Sequence, residues 1–369
     1  MMSARKRSRL HLKRVAAAVV TLVALASCAT ACGSSTDSGA AGSSGATGGS
    51  TGSVGTINLL AQESTDYGAV LQWLAQAEGL YKEKGLTVNF INQTSTQDQL
   101  LASGDADLDP QPFPSNFVAA GSGLDVQMVY ELESVSSTAL IVNSKYTTAA
   151  SLQANHSCRL ATSQVGTDAY ATAKIFMAKL KLPCTLIIAS SPAVIAAGVA
   201  SGSYDAGVVI WANAYKFGAT DPATSHIRLL LQPNQVNSLL GSAVGGYQEL
   251  GLEGIASDLQ KKRASVVAFI EALNEAKTLM EKMTAEQIAT ALLKLPQWKG
   301  ISYATTLEGI KLDTGAPTTE APFGLITEAS WQKSLDAFTS WGVAGYSPTN
   351  PLYSYSKRVD MSYAETADK

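Results

Sequence analysis

Ala77-Glu-Gly-Leu-Tyr-Lys-Glu-Lys-Gly-Leu-Thr-Val88 decides how the rest of the chain is read. Gly79 stops a helix that begins near Tyr67 and carries Val70, Leu71, Trp73, Leu74 and Ala77 on or near one face. Leu80 to Lys84 makes a further short turn, closed by Gly85. Leu86 to Ile91 then alternates apolar and polar residues as a strand does. Ile57 to Ala61, just upstream, reads as a buried strand. Strand, helix, glycine turn and strand in this order form a βαβ unit, which calls for a parallel pair.

The same alternation continues outward. Short strands are expected at 106–109, 126–131 and 138–142, with helices at 98–103 and 114–121. A second run places strands at 158–162, 184–189 and 205–210, with helices at 168–180 and 192–201. Ala264 to Lys282 is the clearest amphipathic helix, with Val266, Val267, Phe269, Ile270, Leu273, Ala276 and Met280 on one broad face. Helices are expected at 285–295, 304–311 and 327–341, before a Tyr/Pro-rich tail. The fold class is therefore α/β with mainly parallel sheets. Roughly 310 residues exceed one hydrophobic core, so two lobes are expected.

The N-terminus reads as an export signal. Arg5-Lys6-Arg7 with Arg9, Lys13 and Arg14 is basic, Val15 to Leu25 is apolar, and Leu25-Ala26-Ser27-Cys28 is a small-residue approach to a cysteine. The apolar run is too short to span a bilayer comfortably. It resembles the lipobox of bacterial lipoproteins, which implies an extracytoplasmic protein anchored to the cell membrane by acyl chains on Cys28. Cys32 is the alternative attachment site, and an ordinary secretory signal is the plainer alternative. Residues 29–55 are rich in Gly, Ser, Thr and Ala and read as a solvated tether. Twenty-odd such residues span roughly 25–30 Å. Gly48-Gly-Ser-Thr-Gly52 matches a hydrolase elbow but lies in that tether, away from any strand-to-helix turn.

Loss of residues 1–28 removes six basic side chains and no acidic one, which takes the net charge from −3 to −9. An acidic body argues against nucleic acid. Cys158 and Cys184 are the remaining cysteines; each opens a short apolar run, with a helical stretch between. Outside the cell, two such thiols at the starts of adjacent parallel strands favour a disulfide; two buried free thiols are the alternative. Such a closed loop stabilises by roughly 3 kcal/mol.

Ala77–Val88 also fits a pattern A-x-x-G-Φ-Φ-x-x-x-G-L-x-V, which resembles the solute-binding proteins of ABC importers for nitrate, sulfonates, taurine and thiamine-type pyrimidine precursors. Three segments in order support the resemblance: Thr94–Asp107, Ala196–Trp211 and Val267–Ala276. It implies a type II periplasmic-binding-protein architecture: two doubly wound lobes around a ligand cleft, joined by two crossover segments near Leu140–Ser144 and Ala243–Leu250. Lobe 1 would comprise residues 56–142 and 246–369, and lobe 2 residues 143–245. The expected partners are a small solute and ABC permease subunits, with the chain a monomer and no cofactor or metal. The second-lobe strand ends Trp211-Ala-Asn-Ala-Tyr215, where the family often has an acidic-Pro pair. The cysteine cluster of the pyrimidine-synthesising enzyme branch is not present.

Ligands of open α/β sheets sit beyond the carboxyl ends of strands, where helix N-termini offer free N–H groups. The loops so placed carry Glu63, Ser64, Thr65, Asp66 and Tyr67; Thr94 and Ser95; Gln111, Phe113 and Asn116; Ser137 and Thr138; Gln164, Thr167 and Asp168; Trp211 and Asn213; and Tyr247. Ser64 or Asp66 can equally cap a helix, and each aromatic can equally fill core. The acidic members suit an amino group or protonated ring nitrogen better than a bare anion. His156 and His226 lie in polar, loop-like stretches without a neighbouring His, Cys or carboxylate pair at ligand spacing, and no Walker loop, dinucleotide fingerprint or H-E-x-x-H occurs. Enzymatic function is not expected; a secreted lipid-anchored hydrolase with a dispersed triad, or a structural lipoprotein, are the alternatives.

Overall fold

The computed structural model describes residues 53–61, 64–65, 67–92, 97–134, 136–164, 167–240, 250–313, 324–340 and 346–369. Cys28, Cys32, the signal and all but the end of the tether lie outside these residues.

Among the described residues, ten strands form three sheets. β1 (Gly55–Ala61) and β2 (Leu86–Asn92) pair in parallel, as the βαβ reading requires. Gly79 and Gly85 adopt positive φ, which frees both turns from a Cβ clash. β3 (Asp109–Pro112), β4 (Val126–Glu133) and β10 (Leu250–Ile255) make a second sheet in the order β3-β10-β4, with β10 antiparallel to both neighbours. A parallel bridge from Leu59 to Leu108 joins it to β1. β5 (Thr138–Asn143), β6 (Arg159–Thr162), β7 (Thr185–Ile188), β8 (Ala206–Ile210) and β9 (Ile227–Leu229) form a five-stranded sheet in the order β7-β6-β8-β5-β9. β6 is parallel to β7 and β8, whereas β5 runs antiparallel to β8 and β9.

The first two sheets share a core, and the five-stranded sheet has its own. Around the first, the helix Arg263–Met280 lays Val266, Phe269, Ile270 and Leu273 over β1 and the helix Tyr67–Ala77. Tyr81 stacks on Phe269, with centroids 5.1 Å apart. A neighbouring cluster gathers Phe113, Phe117, Met128, Trp331 and Phe338. The five-stranded sheet buries Leu140, Ile141, Leu160, Phe176, Ile195, Val208 and Trp211 in a core of its own. Burying a side chain of this size contributes about 1.5–3 kcal/mol, so each core can hold the sheets it covers.

Several expectations shift. The first passage between sheets comes before β5 rather than at Leu140–Ser144, because Leu140 to Val142 already pair with β8 and Asn143 with β9. The periodicity of Thr138–Val142 marks a strand but not the sheet it joins. The strand expected at 106–109 begins at Asp109, with Leu108 held only in an isolated bridge. β9 and β10 carry no clear signal: β9 has three residues, and β10 reads Leu-Gly-Leu-Glu-Gly-Ile, whose glycines and glutamate are poor strand formers. Gly251 is needed where it stands. A Cβ there would meet Met128 Sδ at 2.6 Å and Phe113 Cε1 at 3.2 Å. The second expected crossover falls largely on residues 241–249, outside the described ones.

Cys158 and Cys184 are joined in a disulfide, as the strand starts predicted. Arg159 and Thr185, the residues that follow them, are register partners in β6 and β7. Replacing both cysteines with alanine is expected to lower the unfolding free energy by about 3 kcal/mol, read by urea denaturation against the wild type; an unchanged midpoint would show that the link adds nothing.

Candidate functional site

A cavity of about 240 Å³ opens where the strand ends of both sheets meet. One wall comes from Ala61 at the end of β1, Ala69 and Gln72 on the first helix, Gln97, Pro110–Pro112 of β3, Ser115 and Leu250. The other comes from Ser137 and Thr138 at the start of β5, Thr167–Ala169 and Ile210 at the end of β8. β5 is antiparallel to β8, so its first residue lies beside the carboxyl end of that strand. This is the position at which open α/β sheets present ligands. A second cavity of about 530 Å³ shares Ile210 and is lined by Ser64, Thr65, Asn213, Lys216 and the stretch Trp298–Ser302 with Thr305 and Thr306.

The first cavity is walled by amides, hydroxyls, apolar groups and one carboxylate, Asp168; no Lys or Arg is among its described lining residues. Thr167 caps the helix Asp168–Lys179: its hydroxyl accepts from the Tyr170 N–H at 3.2 Å and donates to the Gln164 carbonyl at 2.8 Å. Its polar capacity is thus used locally, which orients the helix N-terminus toward the wall. Thr138 Oγ1 and Ser136 Oγ share a hydrogen bond of 2.6 Å. The Ser137 carbonyl accepts from the Trp211 N–H at 2.7 Å, which ties the passage to the end of β8.

Of the residues singled out in the sequence, Gln111, Ser137, Thr138, Thr167 and Asp168 line the first cavity. Ser64, Thr65 and Asn213 line the second. Tyr67 is buried in the core of the first sheet, Trp211 in that of the five-stranded sheet, and Phe113 is tilted against Trp331 with centroids 5.0 Å apart. These three are not among the lining residues. Asn116 is fully buried and donates from Nδ2 to Glu253 Oε2 at 2.6 Å. Gln164 is exposed. Glu63, Asp66, Thr94, Ser95 and Tyr247 lie outside the described residues. The sequence reading missed Gln72, Gln97, Ser115, Ile210 and Leu250. Gln72 lies more than one helical turn past the strand loop, beyond the loop residues that the strand-end rule selects. The 298–306 stretch carries no motif at all.

Beneath the first wall lie four buried acids, Asp109, Glu131, Glu133 and Glu253. Burial pushes the Glu131 carboxyl up to about 8. Burial and the neighbouring Asp109 charge push Glu253 well above the ordinary range, against a smaller opposing effect from its Asn116 hydrogen bond. Among the described residues no group of three His, Cys, Asp or Glu is arranged to hold a metal ion, and no helix is long and apolar enough to cross a membrane.

Residues 70–282, more than half of the chain, match the family model described as NMT1/THI5 like. The chain belongs to the NMT1/THI5-like family. No curated protein sequence matches it. Among solved structures it is similar to the ligand-binding component of an ABC-type import system from Staphylococcus aureus, at 12% identity and TM-score 0.67, with 85% of this chain and 98% of that one covered. It is also similar to the periplasmic nitrate-binding protein NrtA from Synechocystis PCC 6803, at 15% identity and TM-score 0.64, covering 85% and 88%. The alkanesulfonate-binding protein SsuA from Xanthomonas axonopodis pv. citri, solved with MOPS bound, aligns at 19% identity and TM-score 0.59, covering 78% and 93%. These neighbours show the periplasmic-binding-protein fold, and each of them is described as a binding protein or ligand-binding component.

The Glu131 carboxyl makes folding depend on pH. Unfolded, it loses its proton near 4.5; folded, it keeps it to about 8. Between these values only the folded chain holds the proton. Its contribution is therefore fullest below about 4.5 and is lost as pH rises through about 8, at up to ~1.4 kcal/mol per pH unit. Glu131→Gln is expected to flatten this decline in urea unfolding measured across that range; a variant as pH-sensitive as the wild type contradicts the assignment.

Proposed function

We propose that this chain is the extracytoplasmic solute-binding component of an ABC importer. It captures a small organic solute between its two lobes and hands it to a membrane permease. The observation that carries this is the cavity between the five-stranded sheet and the two sheets that share the first core, largely apolar but with amides and hydroxyls in its wall, at the carboxyl ends of β1, β3 and β8 and beside the helix start at Asp168. The two passages between sheets are the natural hinge, so capture closes one lobe over the other.

The export signal supports attachment to the membrane by acyl chains on Cys28, or on Cys32, with residues 29–55 as tether. The solute is organic and bears an amino group or ring nitrogen, taurine-like or aminopyrimidine-like. Asp168 and the amides of Gln72, Gln97 and Gln111 can accept from N–H groups, whereas no Lys or Arg among the described lining residues offsets the charge of a bare anion. Ser64, Thr65 and Asn213 in the adjoining cavity would contact a larger ligand or the permease-facing rim.

A bound solute stabilises the folded chain by RT ln(1 + [L]/Kd), about 2.7 kcal/mol at a hundredfold excess over Kd. Taurine or an aminopyrimidine is expected to raise the melting temperature while nitrate does not, and Ser115→Phe, which fills the cavity, should abolish the rise without unfolding the chain. Stabilisation by nitrate alone, or a rise that survives Ser115→Phe, contradicts the proposal.

A further inference from the structure

Gln111 is the polar floor of the first cavity, and it is held from below. Its Nε2 donates to Asp109 Oδ2 at 2.8 Å, both residues being almost wholly buried. The two share one face of β3, two positions apart, so the bond runs along the strand rather than across the cavity. Asp109 is the register partner of Glu253 in β10. Side chains so placed have Cβ atoms about 4.5–5.5 Å apart. Glu253 is in turn gripped by Asn116 Nδ2 at 2.6 Å, while its Oε1 has no partner. Cavity, Gln111, Asp109, Glu253 and Asn116 form one chain of polar groups crossing from β3 to β10 to the helix Phe113–Gly121.

Burial and the neighbouring Asp109 push the Glu253 carboxyl well above its ordinary range. Asp109 Oδ2 accepts from Gln111 Nε2, so the amide turns an N–H toward that carboxyl oxygen. That fixes the amide with its carbonyl Oε1 and its second N–H left for the cavity.

We propose that Asp109 is a positioning residue for solute specificity, locking the Gln111 amide so that its carbonyl oxygen faces the cleft and selects solutes that bring N–H or ammonium donors. This rests on the solute-binding reading and names the group that enforces its selectivity. Asp168 is a carboxylate among the described lining residues, and the buried Asp109 places a second carboxyl just beneath the wall. Both favour a donor-bearing or cationic solute over an oxyanion.

The test is the side-chain amide of Gln111 in nitrogen–proton NMR spectra of the full, unliganded chain, assigned by its loss in Gln111→Glu. In wild type and in Asp109→Asn, which retains an acceptor, one of its N–H protons is expected downfield and slow to exchange with water. In Asp109→Leu that signature should be lost. Two N–H protons that exchange alike in wild type, or a signature unmoved in Asp109→Leu, overturn the proposal. Should Asp109→Leu fail to fold, the wild type decides alone: one Gln111 N–H proton slower to exchange than the other is expected, and two that exchange alike overturn the proposal. Ethylammonium and nitrate at equal concentration then probe the cleft. Ethylammonium should shift the Gln111 signals more; equal shifts, larger shifts with nitrate, or no shift with either overturn the selectivity. The unliganded spectra stand apart from the thermal-shift experiment, so a failed lock and a failed solute-binding reading give different results.

Discussion

β10 is the constraint on which the molecule depends. It pairs on one edge with β3 and on the other with β4, yet it enters only after the chain has built the whole five-stranded sheet. The first lobe is therefore incomplete until the second has been made. Closing so long an excursion is affordable because loop entropy grows only with the logarithm of length, and because the excursion carries a core of its own. The same strand puts Glu253 beside Asp109 and Leu250 into the cavity wall, so completing the sheet and completing the site are one event.

From this follows the placement of the polar groups. Sheet interiors take apolar residues, and β10 places a glutamate in one. Burial of such a group costs several kcal/mol unless it is neutral or bonded. Burial raises the Glu253 carboxyl well above the ordinary range, which favours its neutral form, and Asn116 donates to it. Glu131 shares the first of these solutions. A sheet designed only for stability would carry leucine at these positions. Acids retained next to a cavity are the expected mark of a site that pays in stability for selectivity.

Much of the fold was legible because its units are local. The glycine turns at Gly79 and Gly85, the amphipathic helix 263–280 and the strand starts at Cys158 and Cys184 each follow from periodicity or from a residue with a single conformational use. The strand-end loops near β3 and the helix at Asp168 were also legible from the alternation of elements, and Gln111, Thr138 and Asp168 line the first cavity. Illegible were features set by partners far away in sequence. β10 has a weak local signal and is a strand only because β3 and β4 flank it. Phe113 and Trp211 were ambiguous between ring-stacking and core, and distant residues such as Trp331 decide that they are core. The sheet to which Thr138–Val142 belongs is likewise fixed by β8, not by its own sequence.

The central claim is that two separately packed lobes close on a solute between them. Small-angle scattering measures that directly, as the radius of gyration with and without a solute that raises the melting temperature. The account predicts a smaller radius on binding, reversed by dialysis. A stabilising solute that leaves the radius unchanged would contradict it.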